Sequence, residues 1–432
     1  MAKGLIIAAP HSGSGKTLVT LGLLRALKNR GLKVISAKAG PDYIDPGFHA
    51  AATGQPCLNL DYWAMGESAV RHFAKIQARD ADVLIIEGVM GLFDGPQGAK
   101  GSTADLAEAL RLPVILVVDA AKQGQSIAAL VEGFRSFRPS LDLAGIILNR
   151  ISSDRHEAIL REALAAIDVK VFGALRQIDS LHLPSRHLGL IQAQENQQLE
   201  AFIGTAASRV SRETFLDMIH ESAADLRNHE QPSAQILPLL GQSIAVAQDE
   251  AFSFAYAHIL ECWRRLGAEL RFFSPLANEP PPVVDAIFLP GGYPELHAGK
   301  LAANMHFLDG LRAFKGLIYG ECGGYMVLGD GLIDAQGQRH AVAGLLPLTT
   351  SFAKRKLHLG YRQLQPLTGP WWQPLRGHEF HYSTIEAQGG GEPLFYAKDA
   401  AGNDLGRIGQ RVGNVMGSYA HIISPAAPKA LT

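Results

Sequence analysis

Two short runs, far apart in the chain, carry the residue types of two different chemistries. The first, Ala9-Pro10-His11-Ser12-Gly13-Ser14-Gly15-Lys16-Thr17, follows an apolar run and opens a helical pattern. Gly13 and Gly15 permit a tight turn whose backbone N–H groups, with that of Ser14, can surround phosphate oxygens. Lys16 supplies charge, Thr17 supplies a hydroxyl for a metal, and the helix N-terminus faces the anion. The strict pattern has glycine where this chain has Pro10, but the donors remain. Work on a nucleoside triphosphate also needs a carboxylate for magnesium at the end of a neighbouring strand. Asp42, Asp45 and Glu87 each follow an apolar run. Thr17, Asp42 and Glu87 are expected around Mg2+, with Asp45 and Asp94 touching a second substrate or orienting its activated carboxylate. Asn149-Arg150 is expected to read the base, Asp119 to support the phosphate loop, and Arg186-His187 to contact a polyanionic substrate.

The second run is Gly320-Glu321-Cys322-Gly323-Gly324. A cysteine between small residues, after an aliphatic strand and before a helix, sits on a sharp turn near helix amides that favour the thiolate. Such a sulfur attacks an amide or ester carbonyl when a histidine takes its proton. His421 is the expected base, with His378 and His381 as rivals, and Gly291-Gly292 with the Gly323 amide as oxyanion donors. Cys57, in a loop, and Cys262, in a helical pattern, lack this setting. The absence of local CxxC or HxxxH spacing argues against structural zinc.

These residues need rigid elements behind them. Leu5 to Ala9, Val34 to Ala37, Val83 to Ile86, Val114 to Val118 and Ile146 to Leu148 read as strands covered on both faces, separated by helical crossovers such as Thr17 to Asn29. That is an α/β parallel sheet with helices on both sides. From Gln192 to Gln235 the chain reads as polar and helical with no strand signal, and a boundary falls near Pro232. Alternation restarts with Ile244 to Ala247, Ala268 to Phe272, Ala286 to Leu289 and Leu317 to Tyr319, joined by a predicted helix from Phe252 to Leu266. Two domains are therefore expected, residues 1–235 and 236–432.

The length of 432 residues also favours two cores. Forty basic and forty-one acidic side chains leave a net charge of -1, so no global field draws the chain to nucleic acid or anionic lipid. Three cysteines argue against a disulfide scaffold. No apolar run reaches membrane-spanning length, and Met1-Ala2-Lys3 leads directly into a strand, so a cytoplasmic location is expected.

The phosphate loop, Lys38 to Asp45, Glu87-Gly88-Val89-Met90-Gly91-Leu92-Phe93-Asp94-Gly95 and Gly377 to Ser383 together resemble the corrinoid a,c-diamide synthases over nearly the whole chain. The resemblance implies an N-terminal P-loop domain similar to dethiobiotin synthetase and a C-terminal class I-like glutamine amidotransferase domain. It implies ATP with Mg2+, amidation of corrin carboxylates by ammonia from glutamine, and a possible homodimer. Residue by residue, Gly13, Gly15, Lys16 and Thr17 fall on the nucleotide loop, Asp42, Asp45, Glu87 and Asp94 on acidic active-site positions, Cys322 on the nucleophile and His421 on its base. Ordinary class I glutaminases carry glutamate two residues after the histidine, where this chain has Ile423, as is usual for this branch. The orienting group is thereby unassigned. The stretch Cys57 to Met65 looks more like the aerobic-pathway enzymes, which favours hydrogenobyrinic acid over cobyrinic acid or nickel sirohydrochlorin. A P-loop ATPase of partition or cofactor-insertion type would use only the N-terminal half.

Overall fold

Unbroken aliphatic runs become parallel strands because both faces of each must be covered, and the amphipathic segments between them supply the cover. The computed structural model describes residues 2–177, 185–186, 189–190, 192–226 and 234–426. Pro232 and His187 lie outside the described residues, and Arg186 is described by its backbone alone. Two compact units result: Met1–Pro96 with Lys100–Ala234, and Gln235–Thr432 with Gln97–Ala99.

In the first unit the chain runs β1 (Lys3–Ala8), α1 (Lys16–Asn29), β2 (Val34–Ala39), α2 (Asp45–Thr53), β3 (Leu58–Leu60), α3 (Tyr62–Gln77), β4 (Val83–Glu87), α4 (Thr103–Leu110) and β5 (Val114–Asp119). It continues through α5 (Ile127–Phe137), β6 (Leu143–Ile151), α6 (Asp154–Ala165), β7 (Val171–Arg176), β8 (Ser185–Arg186), β9 (Gly189–Leu190), α7 (Leu199–Glu213), α8 (Leu216–Ser222) and β10 (Ala224–Asp225). The sheet order is β3-β2-β4-β1-β5-β6-β7, all parallel, with β10 antiparallel beside β1. Three strands of this sheet were not expected. β3 is only three residues long, β7 is interrupted by Gly173 where Thr214 packs close, and β10 has two residues, so none displays a period.

The second unit runs β11 (Ser243–Ala247), α9 (Ala257–Arg265), β12 (Glu269–Phe273), β13 (Ala286–Leu289), α10 (Ala298–Ala303), α11 (Met305–Ala313), β14 (Leu317–Glu321) and α12 (Gly323–Val327). Short strands follow: β15 (Gly331–Ile333), β16 (Arg339–Ala341), β17 (Leu348–Ser351), β18 (His358–Pro366), β19 (Leu375–His381) and β20 (Thr384–Gln388). The last are β21 (Phe395–Lys398), β22 (Asp404–Ile408), β23 (Gln410–Val412), β24 (Val415–Ser418) and β25 (His421–Pro425). A six-stranded sheet in the order β12-β11-β13-β14-β24-β23 forms the scaffold, and β22-β21-β18-β19-β25 forms a second sheet. The helix predicted from Phe252 starts only at Ala257. Phe254 instead donates its N–H to the Gly291 carbonyl at 2.9 Å, which holds that stretch extended.

Helix α1, which carries the phosphate loop, packs on α7 through a glycine. A Cβ on Gly22 would lie 2.5 Å from Val210 Cγ2 and 2.9 Å from the Ala206 carbonyl oxygen. Overpacking of this kind costs about 1–3 kcal/mol. Gly22→Leu is expected to lower the calorimetric melting temperature. Gly133→Leu serves as control, because Gly133 is also helical and its Cβ would meet nothing within 4 Å.

Candidate active sites

The phosphate loop leaves β1 and turns into α1 at Gly15, whose φ of 88° is left-handed and suits glycine. Strand register then decides which side chains face it. Glu87, the last residue of β4, is paired with Ile7 of β1 on one side and Lys38 of β2 on the other. Asp45 opens α2 just beyond β2. The carboxyl ends of adjacent parallel strands thus bring the acids to the loop, as this architecture requires.

Glu87 is the centre of the cluster and is fully buried. Its Oε1 accepts from the Thr17 hydroxyl at 2.6 Å and from Lys38 Nζ at 3.0 Å, and its Oε2 lies 2.6 Å from His49 Nε2. Lys16 Nζ is 3.8 Å from the same Oε1. Burial alone would raise the Glu87 carboxyl, but Lys38 first, then His49 and Lys16, hold it well below the usual range. Lys38 is itself buried and donates to Asp45 Oδ2 at 2.5 Å, with Asp42 Oδ2 at 3.7 Å. Burial and the neighbouring Asp42 push Asp45 up to about 7, against the pull of Lys38. Thr17 Oγ1 stands 3.5 Å from Asp45 Oδ2. A hydroxyl and two carboxylates make an all-oxygen donor set of the kind that suits Mg2+.

The structure differs from expectation in how these groups are shared. Asp45, rather than Asp42, stands beside Thr17, because Asp42 Oδ1 is used within its own turn by the N–H groups of Ile44 and Asp45. Asp94 lies in the loop after β4 and accepts the Gly91 N–H at 2.9 Å. Asn149, expected to read a base, is buried and donates to the Ser14 carbonyl at 2.8 Å, so its amide braces the phosphate loop. Arg150 has a left-handed φ of 61° and pairs with Asp119, which also accepts from Ala121 N. Loop support therefore comes from Asn149, and Asp119 serves the β5 turn.

Lys38 and His49 carry roles that the motifs did not reveal. A lysine inside the aliphatic run of β2 and a histidine one helical turn after Asp45 are the signals that could have found them. Burial would lower His49, but Cys57 and Glu87 outweigh it and lift it to about 10. His49 is then a cation that clamps Glu87, with Cys57 Sγ 3.6 Å from its Nδ1.

In the second unit, β13, β14 and β24 lie side by side, with Leu289 paired to Gly320 and Glu321 to Ser418. The turns after the first two hold Gly291-Gly292 and Cys322, and the turn after β24 leads into His421, the first residue of β25. Cys322 has φ 47° and ψ -106°, a strained elbow, and its N–H is held by the Ser418 carbonyl at 2.9 Å. A Cβ on Gly291 would stand 2.2 Å from His421 Cε1 and 3.1 Å from Cys322 Cβ, so both side chains converge on that glycine. A Cβ on Gly323 would be 3.1 Å from the Gly292 nitrogen, which brings the two expected oxyanion amides together.

The electrostatics correct one expectation. Helix α12 is only five residues long, and burial, then Glu295, push the Cys322 thiol up despite the Gly323 N–H. Burial first, then His378 and His381, pull His421 down to about 3. Burial therefore holds both partners toward their neutral forms. His378 is paired in register with His421, while His381 stacks on Tyr419 at 3.8 Å between centroids. Unnoticed in the sequence was Glu321, buried beside the nucleophile with Oε2 3.9 Å from His421 Nδ1.

A P-loop unit with a buried acid cluster, followed by a unit with a cysteine elbow and a histidine, defines a nucleotide-binding enzyme fused to a glutamine amidotransferase. Residues 5–191 match the CobQ/CobB/MinD/ParA nucleotide binding domain, and residues 243–428 match the CobB/CobQ-like glutamine amidotransferase domain. The hydrogenobyrinate a,c-diamide synthase of Brucella anthropi is 54% identical over 435 residues, spanning 99% of this chain and 100% of that protein. Its namesake in Rhizobium meliloti is 54% identical over 425 residues, spanning 97% and 99%. The chain belongs to the hydrogenobyrinate a,c-diamide synthase family. Among the described residues no helix is long and apolar enough to cross a membrane.

Losing the Asn149 brace leaves the buried Ser14 carbonyl without that donor, a cost of about 1–3 kcal/mol. Asn149→Ala is expected to weaken nucleotide binding about tenfold or more, measured as Kd by titration calorimetry.

Proposed function

We propose that this chain converts the a and c side-chain carboxylates of hydrogenobyrinic acid to primary amides, using ATP and glutamine. The observation that carries this reading is full-length similarity to relatives named for that reaction, joined to the presence of both chemical sites in one chain. Residues 1–235 act as the synthetase and residues 236–432 as the glutaminase.

A carboxylate accepts ammonia poorly because oxide is a poor leaving group. Attack of the substrate carboxylate on the γ-phosphorus of ATP expels ADP and forms an acyl phosphate, from which ammonia then displaces phosphate. Gly13, Ser14, Gly15 and Lys16 hold the phosphates, and Asn149 keeps their loop in shape. Thr17, Glu87 and Asp45 would hold Mg2+, which would neutralise phosphate charge. Asp42 and Asp94, which follow β2 and β4, orient the substrate carboxylate.

Cys322 attacks the side-chain amide of glutamine as its proton passes to His421. That proton leaves with ammonia, and water clears the glutamyl thioester. Gly292 and Gly323 N–H groups support the oxyanion. Ammonia must be delivered unprotonated, because ammonium has no lone pair for attack.

Cys322→Ala is expected to abolish glutamine-dependent amidation and keep ammonia-dependent amidation, while Lys16→Ala abolishes both. Normal ammonia-driven rates in Lys16→Ala would contradict its phosphate role. The substrate reading is tested by offering hydrogenobyrinic and cobyrinic acid separately, with ATP, magnesium and glutamine labelled in its amide nitrogen. Two labelled nitrogens are expected in the cobalt-free macrocycle, and incorporation only into the cobalt form would overturn the choice.

A further inference from the structure

The position that carries the orienting glutamate in ordinary class I glutaminases is occupied here by Ile423. Its side chain is buried, and its carbonyl accepts from His258 Nε2 at 2.8 Å. No acid can act from there. A different buried acid stands beside the same histidine. Glu321 ends β14, one residue before the nucleophile, and 3% of it is exposed. Its Oε1 accepts the Ile422 N–H at 3.0 Å, and its Oε2 stands 3.9 Å from His421 Nδ1.

We propose that Glu321 is the positioning residue of the glutaminase site: anchored on the backbone next to His421, it sets the imidazole and steadies the positive charge that His421 acquires. The inference rests on Cys322 and His421 acting as assigned above.

The case is geometric. A carboxylate buried at the end of a strand is expensive to desolvate, and one N–H bond from Ile422 offsets only part of that cost. A second partner that becomes charged during turnover gives it a use. The bond to Ile422 also fixes where the carboxylate sits, since Ile422 directly follows the histidine. One oxygen reads the backbone of β25 and the other faces the ring from the Nδ1 side, which leaves Nε2 directed toward Gly291 and Cys322. A contact of 3.9 Å at rest is longer than a hydrogen bond, and catalytic hydrogen bonds commonly tighten only when substrate is bound.

The charge logic agrees. Cys322 gives its proton to His421, and the resulting imidazolium faces an ionised Glu321, while the proton on Nδ1 stays on the histidine. His421 is also faced by His378 and His381, both of which disfavour a positive ring, and by the Phe254 carbonyl, which favours it. Cys322 is faced by Glu295 and Glu379. Glu321 is the acid among these that lies within ion-pair distance of the ring. Burial raises its carboxyl to about 8, opposed by the Ile422 N–H and by Tyr319. Ionised Glu321 therefore fills in as pH rises toward that value, and glutamine hydrolysis should rise with it.

The test uses the full-length chain and measures glutamine hydrolysis against pH, with ammonia-driven amidation as the measure of intact folding. Glu321→Gln keeps an oxygen for the Ile422 N–H and removes the charge. It is expected to lower kcat for glutamine about a hundredfold or more, with KM within about twofold, and to change the pH profile. Ammonia-driven amidation should stay at the wild-type rate. Glu321→Asp, a shorter acid, should recover part of kcat together with the wild-type profile. Wild-type kcat and profile in Glu321→Gln would overturn the proposal, as would an aspartate variant no better than the glutamine one. Cys322→Ala run alongside separates the two readings: glutamine hydrolysis surviving in that variant would overturn the nucleophile assignment itself.

Discussion

A carboxylate with no exposure to water holds the first site together. Glu87 can stay ionised inside the sheet only because Lys38, His49 and Lys16 surround it, and each of those cations depends on it in return. Removing one member of such a buried set leaves a charge uncompensated, at about 3–5 kcal/mol. The arrangement also directs the hydroxyl of Thr17, in the first turn of α1, toward the acids. Loop, helix α1, strand β2 and helix α2 are therefore coupled through one side chain at the end of β4.

The second site solves the opposite problem. Its cysteine and histidine are both held toward their neutral forms, since burial raises the one and lowers the other. Under the proposed chemistry, charge is created there during turnover rather than stored. The geometry that permits this is compact: three neighbouring parallel strands end in a glycine pair, a strained cysteine and a turn leading to the histidine. Gly291 is required because nothing larger than hydrogen fits between His421 and Cys322.

Motifs were legible where a local turn does the chemistry. The phosphate loop and the cysteine elbow each need glycine at set positions, so they stand out from a single stretch of chain. The long buried strands were legible for a similar reason, as aliphatic runs bounded by turns. What escaped notice depends on register across strands. Lys38 lies in the aliphatic run of β2 and acquires its importance only when β2 pairs with β4. The division of labour between Asp42 and Asp45 follows from which of them caps its own turn. Asn149 reads as a base contact because an asparagine amide can match adenine's edge, whereas in the fold that amide faces the Ser14 carbonyl from two strands away. Glu321 was visible as the residue before the nucleophile, but the chain between it and His421 is about a hundred residues, and only the fold brings them together.

The two-residue strand β10 pairs Asp225 with Lys3 and Ala224 with Gly4. The described sheet of the first unit thus opens with β1 and closes with β10 beside it. Among the described residues, the sheet of the first unit shares no strand with those of the second, so each unit carries its own ladder. Gene fission that splits the two units into separate polypeptides, or their fusion from once separate ones, is therefore an evolutionary step that this topology leaves open.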